Sequence, residues 1–346
     1  MATLGEVQAL VQKVCAPLAL AINILLIYLI LRHSPKSLGF YKYLMIYIAL
    51  FEMIYAIVDI ISAPDLYCFD SMFLVITFYE NSSLPRWIYK VINVVFCTFF
   101  AVSMAIFALH FIYRYLAVSG SSYVKSYSFG KSFVWFFSPI LYGIFYATAI
   151  EFTLSENEKT NMVLRKTYLS NRTLKVENLI YIGQNYWFTD EKGNVAINLM
   201  SWFGIAVPIF TVILSSSTML IFGTLSYRAV ASFAKNTSNS KQYHSMQLQL
   251  LNALVLQALI PVFLMQLPSF IAFTSPIFHK GNEMAGAVLG IAVALYPVLD
   301  PLPTLIIIKN FRNALFKPCT RKKIYAVQQE TPIATTSQSV KIVKSI

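Results

Sequence analysis

The sequence predicts an all-α, polytopic membrane protein: a seven-transmembrane helix bundle with its N-terminus extracellular and its C-terminus cytoplasmic. Three observations predict it. Hydrophobic residues make up 57% of the chain and charged ones only 12%, about half the charged share a soluble surface carries. Seven apolar stretches each reach the roughly 20 residues that a helix needs to cross about 30 Å of hydrocarbon. The Lys and Arg residues fall overwhelmingly on one side of those stretches, which sets direction by the positive-inside rule.

The stretches run approximately over residues 10–31, 43–63, 88–112, 132–150, 195–226, 248–273 and 284–308. They make one receptor-sized domain, 1–318, followed by a basic, disordered tail over 319–346. Met1 to Leu10 contains Glu6 and no basic run, so no cleavable signal peptide is read there and the first helix itself serves as the targeting segment. An odd number of spans puts the termini on opposite sides. With the N-terminus outside, the inner segments hold seventeen Lys and Arg residues against one acid, Glu330, and the outer ones hold ten bases against eleven acids. The formal charge of +12 is thus accounted for by an inner face attracted to anionic lipid, without nucleic acid. Asn81-Ser82-Ser83 and Asn171-Arg172-Thr173 are candidate glycosylation sequons in outer loops. A third sequon, Asn236-Thr237-Ser238, falls inside and is expected to stay unmodified. Cys15, Cys68, Cys97 and Cys319 are too few and scattered for a disulfide framework or a thiolate metal site.

Ionisable groups inside a span cost about 2.5–3.5 kcal/mol each at the helix centre, so Glu52, Asp59 and Asp300 require partners within the bundle. Glu52 and Asp59 are seven residues apart, which sets them on one helix face about 10 Å apart along the axis. Two readings stand: each is satisfied by a neighbouring helix, or the pair lines a polar interior open to a ligand or ion. Asp300-Pro301-Leu302-Pro303 disturbs the last span, since two prolines remove backbone donors. Pro139, Pro208, Pro261 and Pro268 place similar irregularities elsewhere, either hinges or fixed kinks. Tyr113-Arg114-Tyr115 closes the third span, and Arg114 reads either as an interfacial anchor or as a guanidinium turned into the bundle or towards a cytoplasmic partner.

Lys309 to Lys317 alternates basic and apolar residues, with Phe311 and Leu315 four apart, the pattern of a short interfacial helix. Cys319 beside Arg321, Lys322 and Lys323 is a palmitoylation candidate. The stretch from Glu151 to Asn194 carries Tyr168, Tyr181, Tyr186, Trp187 and Phe188 and is long enough to cap a pocket. The histidines His33, His110, His244 and His279 lie in different segments. No zinc spacing, phosphate loop or nucleophile elbow accompanies them. Neither a cofactor nor an enzyme activity is therefore expected.

Three segments carry a family resemblance: Ser34 to Tyr47 entering the second span, His110 to Val118 after the third, and Asp300-Pro301-Leu302-Pro303-Thr304 running on to Ile308-Lys309-Asn310-Phe311-Arg312-Asn313. Through them the chain resembles the nematode seven-transmembrane chemoreceptors of the Str class. The resemblance implies a receptor in sensory-neuron membrane, ciliary in location, that detects a small odorant or other environmental molecule and signals through a heterotrimeric G protein. It puts Tyr113, Arg114, Tyr115, Asp300 and Pro301 in the switch that couples to that protein. Tyr113-Arg114-Tyr115 is also similar to the acidic-Arg-Tyr motif of rhodopsin-like receptors, with Tyr113 in the acidic place, and Asp300-Pro301 to their Asn-Pro motif. The outer loop lacks the cysteine that in those receptors tethers it to the third helix. A small-solute transporter and an odorant-gated cation channel are the alternatives that seven spans and intramembrane acids also allow.

Overall fold

The computed structural model describes residues 4–34, 38–79, 85–121, 129–170, 175–189, 195–236 and 241–316. The sequons at Asn81 and Asn171, Thr237 and Ser238 of the third sequon, and the tail with Cys319 lie outside the described residues. Seven helical spans form the bundle. The first three are α1 (Leu4–His33), α2 (Tyr41–Ser62) and α3 (Arg86–Val118), and α4 (Phe129–Leu154) is the fourth. A nine-residue helix, α5 (Glu158–Lys166), follows before the fifth span, α6 (Leu199–Asn236). The sixth joins α7 (Lys241–Pro261) to α8 (Leu267–Thr274), and the seventh joins α9 (Glu283–Leu299) to α10 (Pro301–Ile307). A last helix, α11 (Lys309–Phe316), follows.

α3 is the central post, packed against α6, α4 and α2, while α1 lies against α9 and α2. The outward surface is a belt of exposed apolar side chains, among them Ile24, Ile54, Ile144, Phe203 and Ile221, which only a hydrocarbon surrounding makes favourable. The face that carries the N-terminus also holds the 2–3, 4–5 and 6–7 connections; the opposite face holds α11.

Proline shapes the sixth span. After Pro261 the backbone takes one π-helical turn, Val262–Gln266, a widening that accommodates a ring unable to continue the hydrogen-bond ladder. The turn presents buried Gln266 to the bundle, where its Oε1 accepts from Ser216 Oγ at 2.7 Å and its Nε2 faces Met104 and Met219 sulfurs at 3.6 and 3.5 Å. The seventh span behaves differently. Asp300 keeps helical dihedrals between α9 and α10, so Pro301 stands at the first position of a new helical segment, where no backbone donor is needed.

The helical class is joined by sheet that hydropathy does not announce. β1 (Asp65–Phe69), β2 (Met72–Phe78) and β3 (Leu179–Asn185) form an antiparallel sheet in that order, with Cys68 opposite Phe73 and Leu74 opposite Gly183. A two-stranded ribbon, β4 (Trp187–Thr189) with β5 (Val195–Ile197), leads into α6. Hydropathy places Val195 to Ile197 in the fifth span and Ala63 in the second. The former is strand, and Ala63 takes a left-handed conformation that ends α2.

The sheet is buried on both sides, and the two-residue period of its strands divides the side chains. Leu66, Cys68, Phe73, Val75 and Ile182 join the main bundle core. Tyr67, Met72, Leu74, Ile76, Leu179 and Tyr181 face a satellite core with Leu164 and Tyr168. Gly183 is required here, because its φ is +124° and a Cβ would stand 2.1 Å from the Phe73 carbonyl oxygen. At Gly286 a Cβ would meet the Leu66 carbonyl at 2.0 Å, so a glycine lets α9 pack directly on the β1 backbone.

Candidate functional site

Two regions at opposite ends of the bundle concentrate the features that a signalling function needs. The first is a cavity of about 60 Å³ beneath the three-stranded sheet. Phe73, Val75 and Ile182 form its roof, Tyr55, Phe96, Phe100 and Tyr146 its sides, and Leu289 and Val293 part of its wall. Six helices and the three strands, remote from one another in sequence, meet there, and side-chain amides tie the sheet to the spans. Asn93 on α3 donates to Val75 O at 3.0 Å, Gln8 on α1 to Pro64 O, and Gln184 on β3 to Thr153 O at 2.9 Å. Ser201 on α6 donates to Gln184 Oε1 at 2.6 Å. At the edge, Arg86 bonds the Glu177 and Leu179 carbonyls at 2.6 and 2.8 Å and pairs with Glu156 at 2.7 Å. Trp187 of the ribbon donates to Ile277 O at 3.1 Å, so the 4–5 connection closes over the 6–7 connection.

The satellite core holds this roof from above. Tyr181 Oη donates to Asn161 Oδ1 at 2.8 Å and accepts from the Asn157 amide at 3.1 Å. Burial pushes the Tyr181 hydroxyl upward in pKa, which keeps its donor proton in place. Tyr168 Oη donates to Asp65 Oδ2 at 2.6 Å. Cys68 is fully buried with a free thiol, its Sγ 3.6 Å from Ala272 O. Among the described residues, hydrogen bonds and packing tether the sheet to the spans.

The three intramembrane acids are all buried, at 1% exposure for Glu52, 4% for Asp59 and 1% for Asp300. Glu52 and Asp59 share a face of α2 but serve different partners. Asp59 Oδ1 accepts from Gln12 Nε2 of α1 at 3.1 Å. Glu52 Oε1 accepts from Tyr296 Oη of α9 at 3.1 Å. The Glu52 carboxyl lies close to that of Asp300. Gln257 donates to Asp300 O and Oδ2 at 3.3 and 3.4 Å, and Asn23 Nδ2 to Pro297 O at 3.0 Å. Pro301 is buried beside them. The result is a polar knot linking α1, α2, α7 and α9 within an apolar bundle.

The second region lies at the opposite face. Arg114 is only 3% exposed and its guanidinium stands 6.0 Å from the centroid of the Tyr41 ring, which separates it from the anchor reading. Tyr41 also stacks on Tyr113 at 5.9 Å and 16°, and Tyr113 meets Trp135 edge-on at 5.3 Å. The Tyr41 ring thus gathers Tyr113 and Arg114 into one cluster at the end of α3. Tyr115 points elsewhere, with its ring 5.7 Å from Phe222 of α6. Phe311 of α11 is fully buried in the same apolar cluster as Tyr41 and Tyr113.

Sequence reasoning missed Gln12, Asn23, Gln257 and Tyr296, which hold the acids, and Asn93 and Gln184, which hold the roof. An uncharged amide in an apolar span is the signal that could have marked Gln12, Asn23, Asn93 and Gln257. For Gln184 and Tyr296 only the fold supplies it.

A seven-helix bundle with a roofed cavity at one face and a buried arginine at the other is the architecture of a membrane receptor. The family described as the serpentine type seven-transmembrane G-protein-coupled chemoreceptor Str matches residues 8–316, and the chain belongs to that family. It is similar to the G-protein coupled receptor str-217 of Caenorhabditis elegans, 30% identical over 90% of this chain and 89% of that protein. It is also similar to serpentine receptor class r-10 of Caenorhabditis briggsae, 29% identical over 87% of each chain. Squid rhodopsin shares the fold, with a TM-score of 0.54 at 15% identity over 89% of this chain and 83% of that one. The protein is a multi-pass G-protein-coupled chemoreceptor, not an enzyme, and the transporter and channel alternatives are not favoured.

Proposed function

We propose that this receptor binds its environmental ligand in the cavity beneath the three-stranded sheet and passes the signal to a heterotrimeric G protein at the face carrying Arg114 and α11. In this reading the N-terminal face is extracellular and the C-terminal face cytoplasmic, as the bias of Lys and Arg supports. The observation that carries the proposal is the cavity itself: it touches α2, α3, α4, α6, α8 and α9 together with the sheet, so its occupancy bears on most of the bundle at once. A ligand shifts a two-state bundle only by its differential affinity for the two states. A site that touches many spans is where such a difference arises when they rearrange.

Glu52, Asp59 and Asp300 then serve as the packing centre through which movement at the cavity reaches Tyr41, Tyr113 and Arg114. Pro301 shapes the same helix, and Tyr115 lies against α6. The basic cytoplasmic face would lie on anionic lipid, with Cys319 palmitoylated, Asn81 and Asn171 glycosylated outside, and the receptor housed in a sensory-neuron cilium. The test is a second-messenger response in cells expressing the chain, screened against volatile and water-soluble small molecules with and without an exchange-defective G protein. A response abolished by that G protein is expected; a ligand-evoked current that survives it would refute coupling. Arg114→Ala is expected to reach the cell surface and lose signalling, and normal signalling would remove Arg114 from the switch.

A further inference from the structure

The seam between the sixth and seventh spans is open on the side that carries α11. A groove of about 480 Å³ runs along it, lined by apolar side chains alone, among them Leu256, Ile260, Phe263, Leu299, Leu302 and Pro303. Irregular backbone borders it on both sides: Phe263 belongs to the π-helical turn after Pro261, and Leu302 and Pro303 to the helix that restarts at Pro301. From Leu256 to Leu264 the groove follows the sixth span for roughly 12 Å, close to the depth of one leaflet in a hydrocarbon core about 30 Å thick. Phe263 and Ile306 stand exposed on it, so it faces the bilayer. Water gains no hydrogen bond from such walls, and empty space forfeits the dispersion contacts that hydrocarbon supplies. The walls thus call for a hydrocarbon chain.

The end of the groove has the opposite character. Ile306, in its wall, lies just before the chain passes through Ile308 into α11. Arg312 of α11 is exposed and donates from Nη1 to Ile306 O at 3.2 Å, which holds its guanidinium at the mouth of the groove. A guanidinium has five N–H donors, so this bond leaves others for a phosphate. Lys309, also exposed, begins the same helix, and its backbone amide is fixed by Gln249 Oε1 at 3.0 Å. No Asp or Glu occurs in residues 241–252 or 305–316 to neutralise the two bases.

We propose that this groove is a binding site for one anionic glycerophospholipid of the adjoining leaflet, its acyl chain lying between the sixth and seventh spans and its phosphate on Arg312 beside Lys309. This is a defined site, distinct from the general attraction of a basic face for acidic lipid. A sterol brings apolar bulk but no charge for the two bases. A zwitterionic phospholipid brings its phosphate together with a cation that Lys309 repels. Leu256 adjoins Gln257, and Leu299 and Leu302 bracket Asp300, so a chain in the groove packs beside the contact between Gln257 and Asp300 and braces the sixth span against the seventh at the polar knot.

The experiment uses the full chain in phosphatidylcholine nanodiscs that contain a small fraction of either phosphatidylserine or phosphatidylcholine with a diazirine in the acyl chain. Photolabelled residues are mapped by peptide mass spectrometry. Labelling is expected to concentrate on residues 256–264 and 299–307. It should be about fivefold greater from the serine lipid than from the choline lipid, the gain that one base near a membrane surface supplies. Arg312→Gln is expected to erase that preference and Lys309→Gln to reduce it, each with unchanged circular dichroism. Ile306→Trp, which adds bulk from an exposed position, is expected to displace labelling by both lipids. Labelling spread evenly around the apolar belt, equal labelling by the two lipids, or a preference unchanged in both Gln variants overturns the proposal. Cholesterol that abolishes the serine-lipid labelling at equal mole fraction would also overturn it, by assigning the groove to a sterol.

Discussion

The Gln12–Asp59 contact allows a quantitative test of how the acids are held. Both side chains are buried, at 2% and 4% exposure, and the 3.1 Å bond joins α1 to α2 just below the sheet. Gln12→Leu removes the donor and leaves a buried acceptor, a change that costs about 1–3 kcal/mol in proteins generally. Asp59→Leu leaves the amide with a 3.5 Å approach to Pro64 O, so its cost is smaller. Replacing both leaves an apolar pair, which is close to neutral. The cycle should therefore return a favourable coupling of about 1 kcal/mol, between the 0.6 kcal/mol average and 1.7 kcal/mol maximum found for interhelical bonds in membranes. The assay is equilibrium unfolding of the purified receptor and the three variants in mixed micelles. If the single effects add to the double within about 0.3–0.5 kcal/mol, the contact does not hold Asp59 and the argument fails.

Other perturbations follow from the same geometry. Gly183→Val places side-chain atoms against the Phe73 carbonyl at a positive φ, and should abolish ligand responses while circular dichroism shows the helices intact. Phe311→Ala empties a fully buried site and should cost about 3–5 kcal/mol of local packing, read as faster amide exchange across residues 309–316 with the remaining spans protected. Glu158 is held below the ordinary carboxylate range, first by its hydrogen bond from Asn161 and then by Arg165. Its contribution to α5 is therefore present above the unfolded carboxylate value and lost as pH falls through the lower folded one. Exchange protection of α5 should weaken across that acid window, and Glu158→Gln should remove the dependence.

The sequence by itself determined the class. Hydropathy and the scarcity of charge point to seven helices, because an apolar run of about 20 residues in hydrocarbon satisfies its own backbone groups as a helix. Local segments such as Ser34 to Tyr47 and Asp300 to Asn313 carry the family. It also marked Glu52, Asp59, Arg114 and Asp300 as residues that must be accounted for, since burying an ionisable group in a membrane is costly wherever the chain goes.

Which account applies was decided by the tertiary structure. Glu52 and Asp59 share one helix face, yet one turns to α9 and the other to α1, a distinction set by Tyr296 and Gln12 in remote spans. The two readings of Arg114 separate only because Tyr41, more than seventy residues earlier, packs against it. The roof was invisible for a related reason. Strands buried on both faces read as plain apolar runs, so Met72 to Phe78 carries no alternation to reveal a strand. Its pairing with Leu179 to Asn185 joins segments a hundred residues apart in sequence. Local chemistry fixes what must be buried in a membrane, and only the packing of distant segments fixes what it is buried against.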